Sequence, residues 1–227
     1  MYFSRVEIDF NNRRKIKDLT HLGAYHNWVE HCFETEFQDN YRSRHLWRLD
    51  TIQDNNGDEH QFLLLVSEHK PNLEKLARYG IASSAQVKSY DPFLSYLQQG
   101  MRAQFRLTAN PTYSVTQSGK RGKVYPHITS DQQLQWLGSR ALKSGFKFVS
   151  KEYLAINDAA LNLNNVDIVS RDFPILHKRG NRTVKLSRVS FEGQLEITDL
   201  STFKNTLVNG LGREKAYGMG LLTIIPE

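Results

Sequence analysis

The sequence predicts an α+β protein built as two tandem ferredoxin-like (RRM-like) domains, residues 1–95 and 96–227, and three observations carry that prediction. In the first half, apolar residues alternate between strand and helix spacing in the order β-α-β-β-α-β. Asp54-Asn55-Asn56-Gly57-Asp58, between two strand-like runs, is a hairpin turn signal. The second half gives the same order with a hairpin inserted around Gly180, although no close internal sequence repeat is visible.

In the first half, Tyr2 to Phe10 alternates and is rich in β-branched and aromatic residues, which predicts a strand. Polar, basic Asn11 to Lys17 reads as a loop. Asp18 or Thr20 caps the next helix, whose stripe is Leu19, Leu22, Val29 and Phe33, completed by His26. Strands follow at Arg44 to Gln53 and Gln61 to Ser67, then a short helix from Pro71 to Arg78 and a strand near Ala85 to Lys88. Asp91 to Gly100 reads as a connector.

In the second half, Met101 to Thr108 is a strand and Asn110 to Thr129 a long, basic, glycine-containing loop. Ser130 caps a helix from Asp131 to Ser144, ended by Gly145, with Leu134, Leu137 and Ala141 as its buried stripe. Phe146 to Ile156, Val166 to Leu176 and Arg182 to Ile197 are strand-like, and Ser201 to Asn209 is helical. Leu221 to Ile225 is a last strand stopped by Pro226. Asn157 to Asn165 has no clear assignment.

Charge is unevenly spread. Residues 1–100 carry 12 Lys and Arg against 14 Asp and Glu, whereas residues 101–227 carry 18 against 10, so a polyanionic partner belongs mainly on the second half. A single cysteine, Cys32, excludes an internal disulfide and sits beside Val29 and Phe33 as a core residue. No apolar run is long enough for a bilayer and no signal peptide opens the chain, so a soluble, cytoplasmic protein is expected.

The segment from Asn209 to Leu222 places Gly210 and Gly212 before, and Gly218 and Gly220 after, a charged group containing Arg213 and Lys215. Such a loop suits a phosphate chain, because glycines permit close backbone approach and the cations supply charge. A Gly-rich turn before an edge strand is the plain alternative. His177 to Lys185 reads as a hairpin with a cationic tip: Lys178, Arg179, Arg182 and Lys185, with Arg188 following. Lys120, Arg121 and Lys123 form a second cationic group, and solvation alone also accounts for either one. Phe146 and Phe148 are expected in the core on one face, with no base stacked on them.

These stretches together resemble the CRISPR-associated CasE family, the repeat-processing endoribonuclease subunits of type I-E Cascade. The resemblance rests on the glycine-rich segment, on Phe105-Arg106-Leu107-Thr108-Ala109-Asn110-Pro111-Thr112, and on Gly119-Lys120-Arg121. Gln132 to Leu137, Val189 to Gly193 and Leu46-Trp47-Arg48-Leu49 add to it, so the matches run from Met1 to Pro226. It implies two ferredoxin-like domains and an endoribonuclease that binds the CRISPR repeat stem-loop and cuts at the 3′ base of the stem by 2′-hydroxyl attack. It also implies retention of the mature crRNA, other Cascade subunits as partners, and a basic hairpin entering the RNA groove.

The resemblance places the catalytic histidine at His26, an imidazole suited to proton transfer near neutral pH. An ordinary core histidine is the alternative on the residues alone. Glu30, one helical turn on, shares its face and suits a supporting role, with a routine surface ion pair as the plain alternative. Relatives carry a tyrosine three residues before the histidine, where this chain has Gly23. Some carry a lysine five residues after it, where this chain has His31. Tyr25 is adjacent in sequence but rotated about 100° on a helix. The second catalytic group is therefore open among Tyr25, Glu30 and His31. No metal is expected: His21 and His31 lie five residues from His26, about 140° around a helix. No cofactor motif, nucleophilic triad or small-molecule site is evident. The alternative function is a non-catalytic RNA-binding or scaffold subunit of the same fold.

Overall fold

The computed structural model describes residues 1–117, 119–151, 163–178 and 182–227. Its first half is an antiparallel sheet of β1 (Tyr2–Glu7), β2 (Leu46–Gln53), β3 (Glu59–Ser67) and β4 (Gln86–Ser89), in the order β2-β3-β1-β4. Helices α1 (Leu22–His31) and α2 (Leu73–Leu76) complete it. The predicted hairpin turn joins β2 to β3, held by Asp54 Oδ1, which accepts from the N–H groups of Asn56 and Asp58.

Several boundaries differ from expectation. The cap of α1 is His21, whose Nδ1 accepts from the Ala24 N–H at 3.2 Å, so Leu19 lies ahead of the helix. A ring nitrogen here does what the expected Asp18 or Thr20 oxygen does at other helix starts. The Asn11 to Lys17 stretch contains a helical turn, Arg13–Ile16, capped by Asn12. Asn72, rather than Pro71, starts α2. The connector forms a helix of its own, Asp91–Tyr96, with Pro92 in its first turn.

The second half contains β5 (Arg102–Ala109), a hairpin of β6 (Thr112–Gln117) and β7 (Lys120–Pro126), and α3 (Ser130–Ala141). It continues with β8 (Phe146–Phe148), β9 (Val166–Asp172) and a hairpin of β10 (Ile175–Lys178) and β11 (Arg182–Lys185). It ends with β12 (Arg188–Ile197), α4 (Leu200–Asn209) and β13 (Leu222–Pro226). The main sheet runs β9-β12-β5-β13, with β8 also on β12. Phe146 pairs with Ile197 and Phe148 with Leu195, and pairing resumes at Val166 with Gly193, so β8 and β9 are two halves of one edge strand. With β8 and β9 counted as one strand, this sheet has the strand order of the first. Both halves are therefore ferredoxin-like.

The loop expected over Asn110 to Thr129 is instead largely the β6–β7 hairpin; Tyr113 faces Tyr125 in register, and this alternation was hidden by the charge and glycine around it. Thr129, not Ser130, caps α3, in a capping box with Gln132. Part of the strand expected over Phe146 to Ile156, part of the unassigned 157–165 segment, and Arg179 lie outside the described residues. Among the described residues, no helix is long and apolar enough to cross a membrane.

The two halves are riveted through β2. Arg48 is 1% exposed and donates to Asp50 beside it and, across the interface, to the backbone oxygens of Arg106 and Leu221 and the Thr223 hydroxyl. Leu46 packs with Val66, Tyr90 and Leu221 in an apolar layer between the sheets. Trp47 reaches the other way, with its indole N–H donating to the Ala216 oxygen at 3.1 Å. Second-half residues Leu176, Leu186 and Met219 join the first-half core around Trp28, Val29 and Leu65. Phe146 is buried in the second core and Phe148 packs against it, as expected. Cys32 is buried and its thiol is pushed up to about 12 by desolvation.

Candidate active site

Helix α1 buries Leu22, Tyr25, Trp28 and Val29, which leaves His26 at the edge of its apolar face. The His26 side chain is 34% exposed and lies in a cleft of about 210 Å³. One wall is the Arg42-Ser43-Arg44-His45 run leading into β2; the other is Lys215 and Ala216 of the glycine-rich segment. The cleft thus forms only where the two halves meet. Tyr217, also of that segment, sets its ring edge-on to His26 with centroids 5.7 Å apart.

Burial lowers the His26 pKa, Glu30 opposes this, and His45 and Arg42 reinforce it, so the net shift is downward and favours the neutral imidazole. Glu30 Oε1 lies 3.9 Å from His26 Nδ1 but only 2.8 Å from His45 Nδ1. Burial opposes ionisation of Glu30, yet its hydrogen bond and charge interaction with His45 prevail, and its pKa falls. His45, stacked on Phe33 at 3.8 Å, is sandwiched by carboxylates, for its Nε2 is 3.4 Å from Glu36. Glu36 also takes hydrogen bonds from the Ser43 N–H and hydroxyl and from His69. Burial opposes ionisation of Glu36 too, but these partners outweigh it and hold the carboxyl down at about 2. A carboxylate network thus backs the His26 cleft, and cations line its open side.

The glycine-rich segment folds as a turn of 3₁₀ helix, Lys215–Tyr217, between positive-φ glycines. Close backbone approach is used here largely on the protein itself. A Cβ at Gly218 would meet the Trp47 ring at 2.6 Å, one at Gly210 the Leu46 side chain and the Gly220 oxygen at 2.8 Å, and one at Gly212 the Trp136 ring at 3.2 Å. Gly220, against Leu211, fixes the return into β13. The cations of the segment are Arg213 and Lys215. Burial and the neighbouring Arg44 lower the Lys215 pKa, and its ammonium donates to the Asn209 oxygen at 2.6 Å.

The other expected site residues separate by environment. Tyr25 is 8% exposed and stacked on Trp47 with centroids 6.0 Å apart, and desolvation raises its pKa despite Arg188, so it sits in the core and does not line the cleft. His31 sits exposed with Nδ1 against the Asn27 oxygen at 2.7 Å, and it does not line the cleft. At Gly23 a Cβ would touch the His21 ring at 3.0 Å, so the capping imidazole packs close where relatives carry tyrosine. Lys123 is exposed on the β6–β7 hairpin, whose strands also carry Lys120 and Arg121. Lys178 and Arg182 are register partners of β10 and β11. Lys185 is exposed over the Phe173 ring. Arg188 is committed to Asp172 through two hydrogen bonds, which offsets its charge. Sequence reasoning missed Arg42, Arg44, His45 and Tyr217. The basic run ahead of β2 was the available signal for the first three.

A family model described as "CRISPR associated protein" matches residues 1–226. The chain is 26% identical over 230 residues to CRISPR-associated endoribonuclease Cse3 of Thermus thermophilus, covering all of both chains. It is 28% identical over 138 residues to the CRISPR system Cascade subunit CasE of Escherichia coli, covering 57% of this chain and 61% of that one. A solved structure of CRISPR endoribonuclease Cse3 bound to a 19 nt RNA superposes with a TM-score of 0.78 at 26% identity, covering both chains fully. The chain belongs to the CRISPR-associated protein family of Cse3 and CasE.

Proposed function

We propose that this protein is the crRNA-processing endoribonuclease of a type I-E Cascade, acting in the cytoplasm without a metal ion. It binds the CRISPR repeat stem-loop, cuts precursor crRNA at the 3′ base of the stem, and stays with the mature crRNA and the other Cascade subunits. The observation that carries this reading is the joint cleft, in which His26 of one half meets Lys215 of the other. Neutral His26 takes the proton of the 2′-hydroxyl as the 2′-oxygen bonds to phosphorus. The bond from phosphorus to the 5′-oxygen breaks, and that oxygen takes a proton from the Lys215 ammonium. The products are a 2′,3′-cyclic phosphate and a 5′-hydroxyl. Lys215, whose acidity is raised by burial and Arg44, fills the role left open by Gly23 and His31. Arg42 and Arg44 at the rim, and the basic residues of the two hairpins, hold the phosphates.

The test is single-turnover cleavage of the host repeat RNA in EDTA by wild type, His26→Ala and Lys215→Met. Each variant is expected to lose on the order of 10²-fold to 10⁴-fold in rate while hairpin affinity is kept by His26→Ala. Tight hairpin binding by a wild type that never cuts would identify a binding subunit instead.

A further inference from the structure

The glycine-rich segment also lines, through Arg213, a second cavity of about 330 Å³, which the proposed reaction does not use. Arg140 of α3 and Arg213 of the glycine-rich segment line it, together with Tyr113 and His127 at the base of the β6–β7 hairpin and Trp136 beneath. Among the described residues neither arginine has a carboxylate partner. Arg140 lies over the Trp136 ring at 4.3 Å and donates to the Trp136 oxygen, and Arg213 reaches only the Ser114 hydroxyl at 3.3 Å. Burial and the facing Arg213 charge both lower the Arg140 pKa, so the two guanidinium groups feel one another across the cavity. Tyr113 is 47% exposed and stacked on Tyr125 at 5.8 Å, with His127 tilted against it at 5.1 Å. Two unneutralised guanidinium groups beside an exposed aromatic platform match the chemistry of an unpaired nucleotide: a phosphate for the arginines and a base for the tyrosine.

We infer that this cavity binds an unpaired nucleotide flanking the repeat stem, giving the protein a recognition subsite outside the hairpin. The inference rests on the reading of the protein as a repeat-binding endoribonuclease. Its position follows from the chain: Arg213 and Lys215 are two residues apart, at most about 7 Å of backbone. A strand passing through the His26 cleft therefore crosses into the cavity within a few nucleotides of the cut.

Both the 5′ and the 3′ flank of the stem carry this chemistry, and the test separates them. Affinity is measured at fixed salt for three RNAs carrying a 2′-deoxy block at the cut site: the bare repeat hairpin, the hairpin with a short unpaired 5′ extension, and the hairpin with an unpaired 3′ extension. The proteins are wild type, Arg140→Gln and Tyr113→Ala, with thermal unfolding as the folding control. Tyr113 is exposed, so that variant is expected to fold. One extension is expected to tighten wild-type binding about tenfold, within the range of one stacked base. Both variants should lose that gain and bind the bare hairpin as wild type does. The inference is overturned if neither extension tightens wild-type binding, or if both variants weaken the bare hairpin equally. A wild type that fails to bind even the bare hairpin would instead overturn the underlying functional reading.

Discussion

Replacing Gly218 by alanine tests whether the cleft depends on the seam between the two halves. Gly218 has φ 76°, where an L-residue costs about 1 to 2 kcal/mol. Its new Cβ would stand 2.6 Å from Trp47 Cζ3, 2.9 Å from Cη2 and 3.0 Å from Cε3, all ring atoms of a 1% exposed indole that cannot step aside. Overpacking of this kind costs about 1 to 3 kcal/mol. Moving the ring also strains the bond from its N–H to the Ala216 oxygen, worth about 1 kcal/mol. The expected destabilisation is thus about 3 to 6 kcal/mol, read as a lower urea midpoint. Relief of the clash displaces Lys215 and Tyr217 from His26, so single-turnover cleavage should fall by on the order of 10²-fold even at temperatures where the variant is folded. A variant that unfolds at the wild-type urea concentration and cuts at the wild-type rate would refute the reasoning.

Gly138 is the matching control: it lies in α3 with open space around its Cβ position, so Gly138→Ala should stabilise by about 0.5 to 1 kcal/mol and leave cleavage unchanged. Arg48→Met should cost about 3 kcal/mol in urea unfolding, because it strips buried Asp50 of its main partner and two carbonyls of their donor. Glu36 contributes stability above its unfolded pKa of about 4.5 that is lost as pH falls towards 2, so the difference between wild type and Glu36→Gln, on the order of 3 kcal/mol at neutral pH, should shrink across that window. A difference that stays constant from pH 6 to pH 2 would contradict this. If His26 is the neutral base, the acid limb of the cleavage rate should have its midpoint below 6.5, since burial lowers its pKa. With His45, Arg42 and Lys215 also facing the cleft, Glu30→Gln removes its negative charge and should move that midpoint to still lower pH.

The sequence by itself determined the order of strands and helices, because burial on one face imposes a period of two or 3.6 and turn residues mark the ends. It also placed His26 on the correct helix and excess positive charge in the second half. It misread the β6–β7 hairpin as a loop, since charges and glycines masked the alternation of Tyr113 and Val115 and the pairing of Tyr113 with Tyr125. It assigned the four glycines to phosphate binding, while three of them make room for Leu46, Trp47 and Trp136. Only the tertiary structure decided which groups stand beside His26. Glu30 looked like its partner from helical spacing, but the closer bond goes to His45, which comes from the start of a strand. Lys215 and Tyr217 lie 189 and 191 positions further along the chain, and no local pattern links them to His26. Packing of β2 across the seam, through Leu46, Trp47 and Arg48, brings them there, because a long-range contact is fixed by which surfaces bury together and not by the spacing of residues along the chain.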